Sequence, residues 1–214
     1  MELWIDTLIV LLILTNLKLI SSSRLSACIR VVAFQGILMG ILPLLVGHDV
    51  LTLRVILLSG ITVLMKGMVF PWLLLRTLHT SHARREMEPF IGYSTSMLMS
   101  VGLLALAIWM GERLPLPVLL KSPLVVPLSL FTIMVGLLAI VSRRKALSQV
   151  LGYLVMENGI YAFGLALAQK EPLLIELGTL LDVFMAVFVM GIAIFHINRE
   201  FDHIDTDLLR TLRD

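Results

Sequence analysis

Charge and cysteine are both scarce in this chain. Asp, Glu, Lys and Arg make up 15% of its 214 residues, while 58% are hydrophobic. A water-soluble domain of that composition could not cover its outside with polar groups, so that class is excluded first. Cys28 is the single cysteine. One thiol cannot close an internal disulfide, nor can it supply a cysteine-ligated iron–sulfur cluster by itself. The formal charge of +2 is too small to point to nucleic acid. No phosphate-binding glycine loop, nucleophile–base pair or haem motif occurs, and no cofactor is expected. The opening "MELWID" has no basic n-region, so no signal peptide is expected there. "LSAC" at 25–28 has the look of a lipid-attachment site, but Lys18 and Arg24 interrupt the apolar run it would need. His79 and His82 have no third ligand nearby and read as a solvated loop or frayed helix end.

What the chain does have is apolar runs of about 20 residues, the length that crosses a bilayer core of about 30 Å. Seven such spans are expected, at 3–20, 26–46, 51–77, 89–110, 123–141, 147–169 and 172–197. They should be helices, because backbone groups in lipid must be satisfied within their own segment and no alternating strands appear. The fold class is therefore all-α integral membrane. Pro89, Pro123 and Pro172 each stand near a helix start, where a missing N–H costs little. The chain divides into a four-helix region (1–110), a breaker-rich loop (111–122), a three-helix region (123–198) and a charged tail (199–214). Leu208, Leu209 and Leu212 make the tail amphipathic, suited to a partner or the membrane surface.

Orientation follows from the basic residues. With the N-terminus outside, the inner segments hold Lys18, Arg24, Arg76, Arg84, Arg85, Arg143, Arg144, Lys145, Arg199, Arg210 and Arg213. The outer ones hold only Arg113, Lys121 and Lys170. That imbalance predicts N-terminus out and C-terminus in. Trp4, Trp72 and Trp109 fall near span ends, as an interfacial aromatic belt requires. Arg30 and Arg54 lie close enough to span ends to reach water.

Three ionisable groups have no such escape. Lys66 is mid-span three, Glu157 mid-span six and Asp182 mid-span seven. Each costs roughly 2.5–3.5 kcal/mol to insert at a helix centre, so a chain that keeps them must pair, hydrate, neutralise or use them. Counted from the turn near Lys170–Glu171, Glu157 and Asp182 differ by only about 3 Å in depth, and Lys66 falls near the same plane. Tyr153 and Tyr161 stand one turn either side of Glu157, and Gly164 extends that stripe. In span seven, Gly178, Asp182 and Ala186 share a face of small residues. Ser59 and Thr62 precede Lys66 on its helix, and Pro71 should break the helix locally beside the lysine. Glu176 can reach the outer interface and His196 can hand protons to the interior, although an interfacial position alone would explain each. Low dielectric favours a neutral carboxyl and a neighbouring ammonium favours the charged one, so such a pair can sit near the balance that proton transfer needs. Ion pairs that merely fix helix packing remain the alternative. The candidate proton-transfer set is Glu157, Asp182, Lys66, Tyr153, Tyr161, Glu176 and His196.

"VSRRKALSQVLGYLVMENG" (141–159), followed by "LLIELGTLLDVFMAVFVMGIAIFHI" (173–197), resembles the hydrogenase-4 component E family. The most specific elements are "MENG" (156–159), the run from Glu176 to Asp182 and "LDVFMAVFVM". In that family the last three helices are similar to the K-type subunit of complex I, which is also shared with multisubunit cation/proton antiporters. That subunit carries one membrane-embedded glutamate in its second helix and another in its third. By position the resemblance gives the first role to Glu157 and the second to Asp182, one methylene shorter. It implies a membrane-arm subunit of a nickel–iron hydrogenase complex of the formate hydrogenlyase type, in a bacterial or archaeal cytoplasmic membrane. Antiporter-like subunits and the complex I-like linking subunit would be its partners, and the redox metals would sit in other chains. The role of Lys66 rests on the charge argument alone. A scaffold subunit without proton transfer, an antiporter subunit and a free-standing transporter are the competing readings, the last weakened by the lack of an inverted repeat.

Overall fold

The computed structural model describes residues 2–46, 53–80, 91–114, 122–143 and 145–167, together with Gly191. These form α1 (Glu2–Ser21), α2 (Leu25–Val46), α3 (Leu53–Leu64), a π-helical turn (Met65–Val69), α4 (Phe70–Thr80), α5 (Tyr93–Arg113), α6 (Val125–Ser142) and α7 (Ala146–Leu167). No strand occurs among the described residues. Five stretches are long and apolar enough to cross a bilayer: Leu3–Ser21, Leu25–Leu45, Val55–His79, Tyr93–Arg113 and Val125–Ser142. α7, at 22 residues, follows α6 through a short turn. The expected seventh span, at 172–197, lies outside the described residues apart from Gly191.

Helix ends track the sequence signals to within a few residues. α5 begins at Tyr93, after Gly92 as its N-cap, and continues through Arg113, so the first three residues of the expected 111–122 loop are helical. Span three runs unbroken through Pro71, contrary to the expected local break. Proline offers no N–H to the carbonyl one turn behind it. The chain accommodates this by widening into the π turn, where the N–H of Phe70 reaches the carbonyl of Met65.

α6 and α7 form the most extensive helix pair, and α2 lies against α1, the π turn and α7. The α6–α7 crossing is close because glycines meet backbone. A Cβ on Gly159 would come within 2.6 Å of the Ile133 nitrogen and 2.9 Å of the Ser129 carbonyl. The outward surface is apolar, with Leu14, Leu98, Val101, Leu137 and Val141 exposed, as lipid-facing positions should be. Trp72 and Trp109 are exposed too, each with an arginine one turn on over its ring: Arg76 at 5.5 Å and Arg113 at 4.5 Å.

The core divides into two apolar clusters. One gathers Leu19, Cys28, Phe70, Phe131, Val135 and Leu151 with their neighbours. The other gathers Ile5, Leu12, Met39, Leu42, Val126 and Ala162 with theirs. On α1, α2 and α7 the sequence passes from one cluster to the other through Asn16, through Gln35 and through Glu157–Asn158. A polar layer therefore separates two greasy ones.

Candidate functional site

The centre of that layer is an ion pair. Lys66 Nζ lies 3.4 Å from Glu157 Oε1, with the two side chains 4% and 2% exposed. The same ammonium stands 5.4 Å from the ring centroid of Tyr161. A cation over an aromatic face is favoured most where water is excluded. Tyr161 thus serves the lysine, one helical turn beyond the glutamate. Tyr153, one turn before it, is half-buried on the same stripe.

Local geometry explains how the lysine gets there. Lys66 is the second residue of the π turn, which sets its side chain on a wider helical step than α3 would allow. Gly36 on α2 faces it. A Cβ there would lie 2.6 Å from the Lys66 Cβ and 2.8 Å from its carbonyl oxygen, distances no real side chain tolerates. The glycine is what lets the π turn press into the bundle. Ser59 and Thr62, which precede Lys66 on the same span, are buried. Pairing is what makes these charges tolerable at such depth, since either one alone would carry most of its insertion penalty.

Four further polar side chains extend the layer sideways. Asn158 Nδ2 donates to Gln35 Oε1 at 3.3 Å, and Gln35 Nε2 donates to Asn16 Oδ1 at 2.8 Å. Asn16 Nδ2 then donates to Thr132 Oγ1 at 2.8 Å, and Thr132 donates to the Leu128 carbonyl at 2.8 Å. Four helices are joined by this chain. The sequence pattern around the charges does not single out these amides, yet an amide left unpaired in an apolar helix also costs several kcal/mol.

Arg143 is the second omission. It was counted with the inner basic residues, but its side chain is among the largest fully buried in the structure. Its Nη2 donates to the Ile20 carbonyl at 2.9 Å, and its guanidinium lies 5.0 Å from the Tyr93 ring centroid. The residue ties the end of α1 to the start of α5 and to the α6–α7 turn. Arg30 is exposed and bonds the Ser26 carbonyl, in line with an interfacial position. The Arg54 side chain, His82, Asp182, Glu176, His196, Gly178 and Ala186 lie outside what is described. His79 is exposed on α4, and no cluster of potential metal ligands occurs among the described residues. Cys28 is buried, its thiol 3.9 Å from the Leu19 and Ser22 carbonyls.

Similarity to known proteins bears on the same residues. The family model for NADH-ubiquinone/plastoquinone oxidoreductase chain 4L matches residues 124–214, which takes in Glu157 and Arg143 and leaves Lys66 outside. The uncharacterized protein Rv0085 of Mycobacterium tuberculosis is 34% identical over 212 residues, 95% of this chain and 93% of that protein. Hydrogenase-4 component E of Escherichia coli K12 is 39% identical over 101 residues, 47% of this chain and 46% of that protein. The Shigella flexneri component E matches to the same extent. The chain thus spans about half the length of the hydrogenase-4 components that it matches. No solved structure matches it. With one relative similar from end to end, component E similar over half its length and the chain 4L pattern across its C-terminal part, the chain belongs to the hydrogenase-4 component E family.

Proposed function

We propose that the chain is a membrane-arm subunit of a complex I-like nickel–iron hydrogenase assembly and that its buried pair, Lys66 and Glu157, belongs to a proton-translocation path. The observation that carries this reading is the 3.4 Å contact between two opposite charges inside an otherwise apolar bundle. Burial favours the neutral form of each group, and contact favours the charged form of both. A proton can move within such a pair at modest cost, which is what a translocating site requires. In this reading Asp182 takes the second acidic position, Tyr153 and Tyr161 flank the pair, and Glu176 and His196 mark the outer and inner ends of the route. Seven spans, with the N-terminus outside the cytoplasmic membrane, would set the chain beside antiporter-like subunits and a complex I-like linking subunit. Redox chemistry would belong to other chains of the assembly.

Glu157→Gln tests this in the assembled complex. The amide keeps the size of the side chain and can still bond Lys66, but it cannot release a proton. Expected is a complex that still assembles but whose hydrogen turnover no longer drives proton uptake. Normal coupling in that variant would overturn the proposal.

The burial of the ion pair itself favours a second reading. A buried pair is also what a scaffold would use to lock α7 against span three, with the chain bridging its neighbours and moving no protons. In that case Glu157→Gln lowers the yield of assembled complex, while the complex that remains stays coupled.

A further inference from the structure

The polar layer continues beyond the ion pair, and the direction of its bonds is determined. Thr132 Oγ1 lies 2.8 Å from the Leu128 carbonyl. Two oxygens approach that closely only with a hydrogen between them, so the Thr132 hydroxyl donates to Leu128 and can only accept from Asn16. Asn16 must then turn its oxygen toward Gln35, and Gln35 its oxygen toward Asn158. What is left over is Asn158 Oδ1, a buried acceptor with no hydrogen-bond partner. It belongs to the residue that follows Glu157, while Gly36, against Lys66, follows Gln35. The charged pair joins span three to α7, and the amide chain leaves the next residue of α7 for α2, α1 and α6.

Chemistry separates the two sharply. An ammonium and a carboxylate, such as Lys66 and Glu157 carry, have protons to exchange. A carboxamide near neutral pH neither gains nor loses one, and three of the four members are carboxamides. Each donates one N–H to the next member, all in one direction, and relaying a proton would require each amide to pass through its imidic-acid form. The layer above and the layer below are apolar, and the amide chain runs between them from α7 to α2, α1 and α6. Gln35, 1% exposed, fills the middle of that route.

We infer that the chain Asn158–Gln35–Asn16–Thr132 is a proton seal. It ties four helices together with polar groups, as a conducting layer would, yet it blocks conduction toward α1 and α6 and confines proton exchange to the opposite side of the pair. Gln35 sets that direction by filling its space. This rests on the function proposed above and adds to it the side on which the path is closed.

The test uses the assembled complex in liposomes, with passive proton entry under a potassium diffusion potential read by an internal pH dye, alongside proton uptake driven by hydrogen turnover. Gln35→Met preserves length without a polar group; passive entry and coupled uptake should both stay at wild-type level, with the yield of complex reduced about threefold for the lost bonds. Gln35→Ala removes the carboxamide and leaves an opening lined by Asn16 and Asn158, polar enough to hold water. Passive proton entry should rise several-fold, and Glu157→Gln combined with Gln35→Ala should return it to baseline. Asn16→Ala opens the same chain one link further on and should leak in the same way if Gln35→Ala does not assemble. Loss of coupled uptake in Gln35→Met would mean that the amides lie on the path, and wild-type permeability in both alanine variants would mean that they seal nothing. Either result overturns the inference while Glu157→Gln remains uncoupled; normal coupling in Glu157→Gln would instead remove the proton path itself.

Discussion

Lys66→Met asks how much the buried pair contributes. Methionine keeps the apolar stem of the lysine and removes only the ammonium, so the π turn and its contact with Gly36 are undisturbed. At 3.4 Å and an effective dielectric of about 20, the attraction lost is roughly 5 kcal/mol. Part of that returns as the site relaxes, so a net loss of about 3 kcal/mol is expected, the lower end of the cost of removing one partner of a buried pair. Lys66→Met combined with Glu157→Gln removes both charges together and should recover about 2 kcal/mol of this, because an uncharged buried pair of similar volume is tolerated well. The assay is a double-mutant cycle on the purified protein in detergent micelles, unfolded by titration with a denaturing surfactant and followed by the tryptophan signal. An interaction energy within about 0.5 kcal/mol of zero would be ordinary additivity between independent sites. That result would refute the premise that the two residues share one electrostatic site.

Two further outcomes are expected. Gly36→Ala would set a Cβ 2.6 Å from that of Lys66; forcing α2 and the π turn apart should cost about 1–3 kcal/mol and impair coupled proton uptake, whereas an unchanged unfolding midpoint would show that the helices do not press together there. Ser23→Cys places a thiol on the exposed α1–α2 turn; a membrane-impermeant maleimide should label it only from the cytoplasmic side, with Cys28 silent in its buried position, and labelling from outside would reverse the orientation.

Residue depth was legible in the sequence and residue partnership only partly so. Counting helical rises from the expected turns put Lys66 and Glu157 at one level, and the structure brings them into contact. Depth is a local property, fixed by a rise of about 1.5 Å per residue. Which helix faces which is not local. The bond from Asn16 to Thr132 spans 116 residues of sequence, and so does that from Ser122 to Asp6; nothing near any of these residues announces its partner. Pro71 illustrates the middle ground. Its missing N–H foretold a disturbance beside Lys66, but whether the helix would break or widen depended on Gly36 making room across the interface. Arg143 was misjudged because an arginine beside Arg144 and Lys145 reads as one more inner charge. Its burial comes from the carbonyl of Ile20 and the ring of Tyr93, both supplied from far earlier in the chain.

That last arrangement constrains the order in which the protein can be built. A guanidinium does not give up its proton, so when α6 enters the bilayer Arg143 must remain among the lipid headgroups and water. α1 and α5 are by then already in place, with the Ile20 carbonyl and the Tyr93 ring still uncovered. As α6 packs against α1 and α5, the cation can be drawn beneath the ring and onto the carbonyl. Arg143 is therefore the latch of the end of the bundle where α1, α5 and the α6–α7 turn meet.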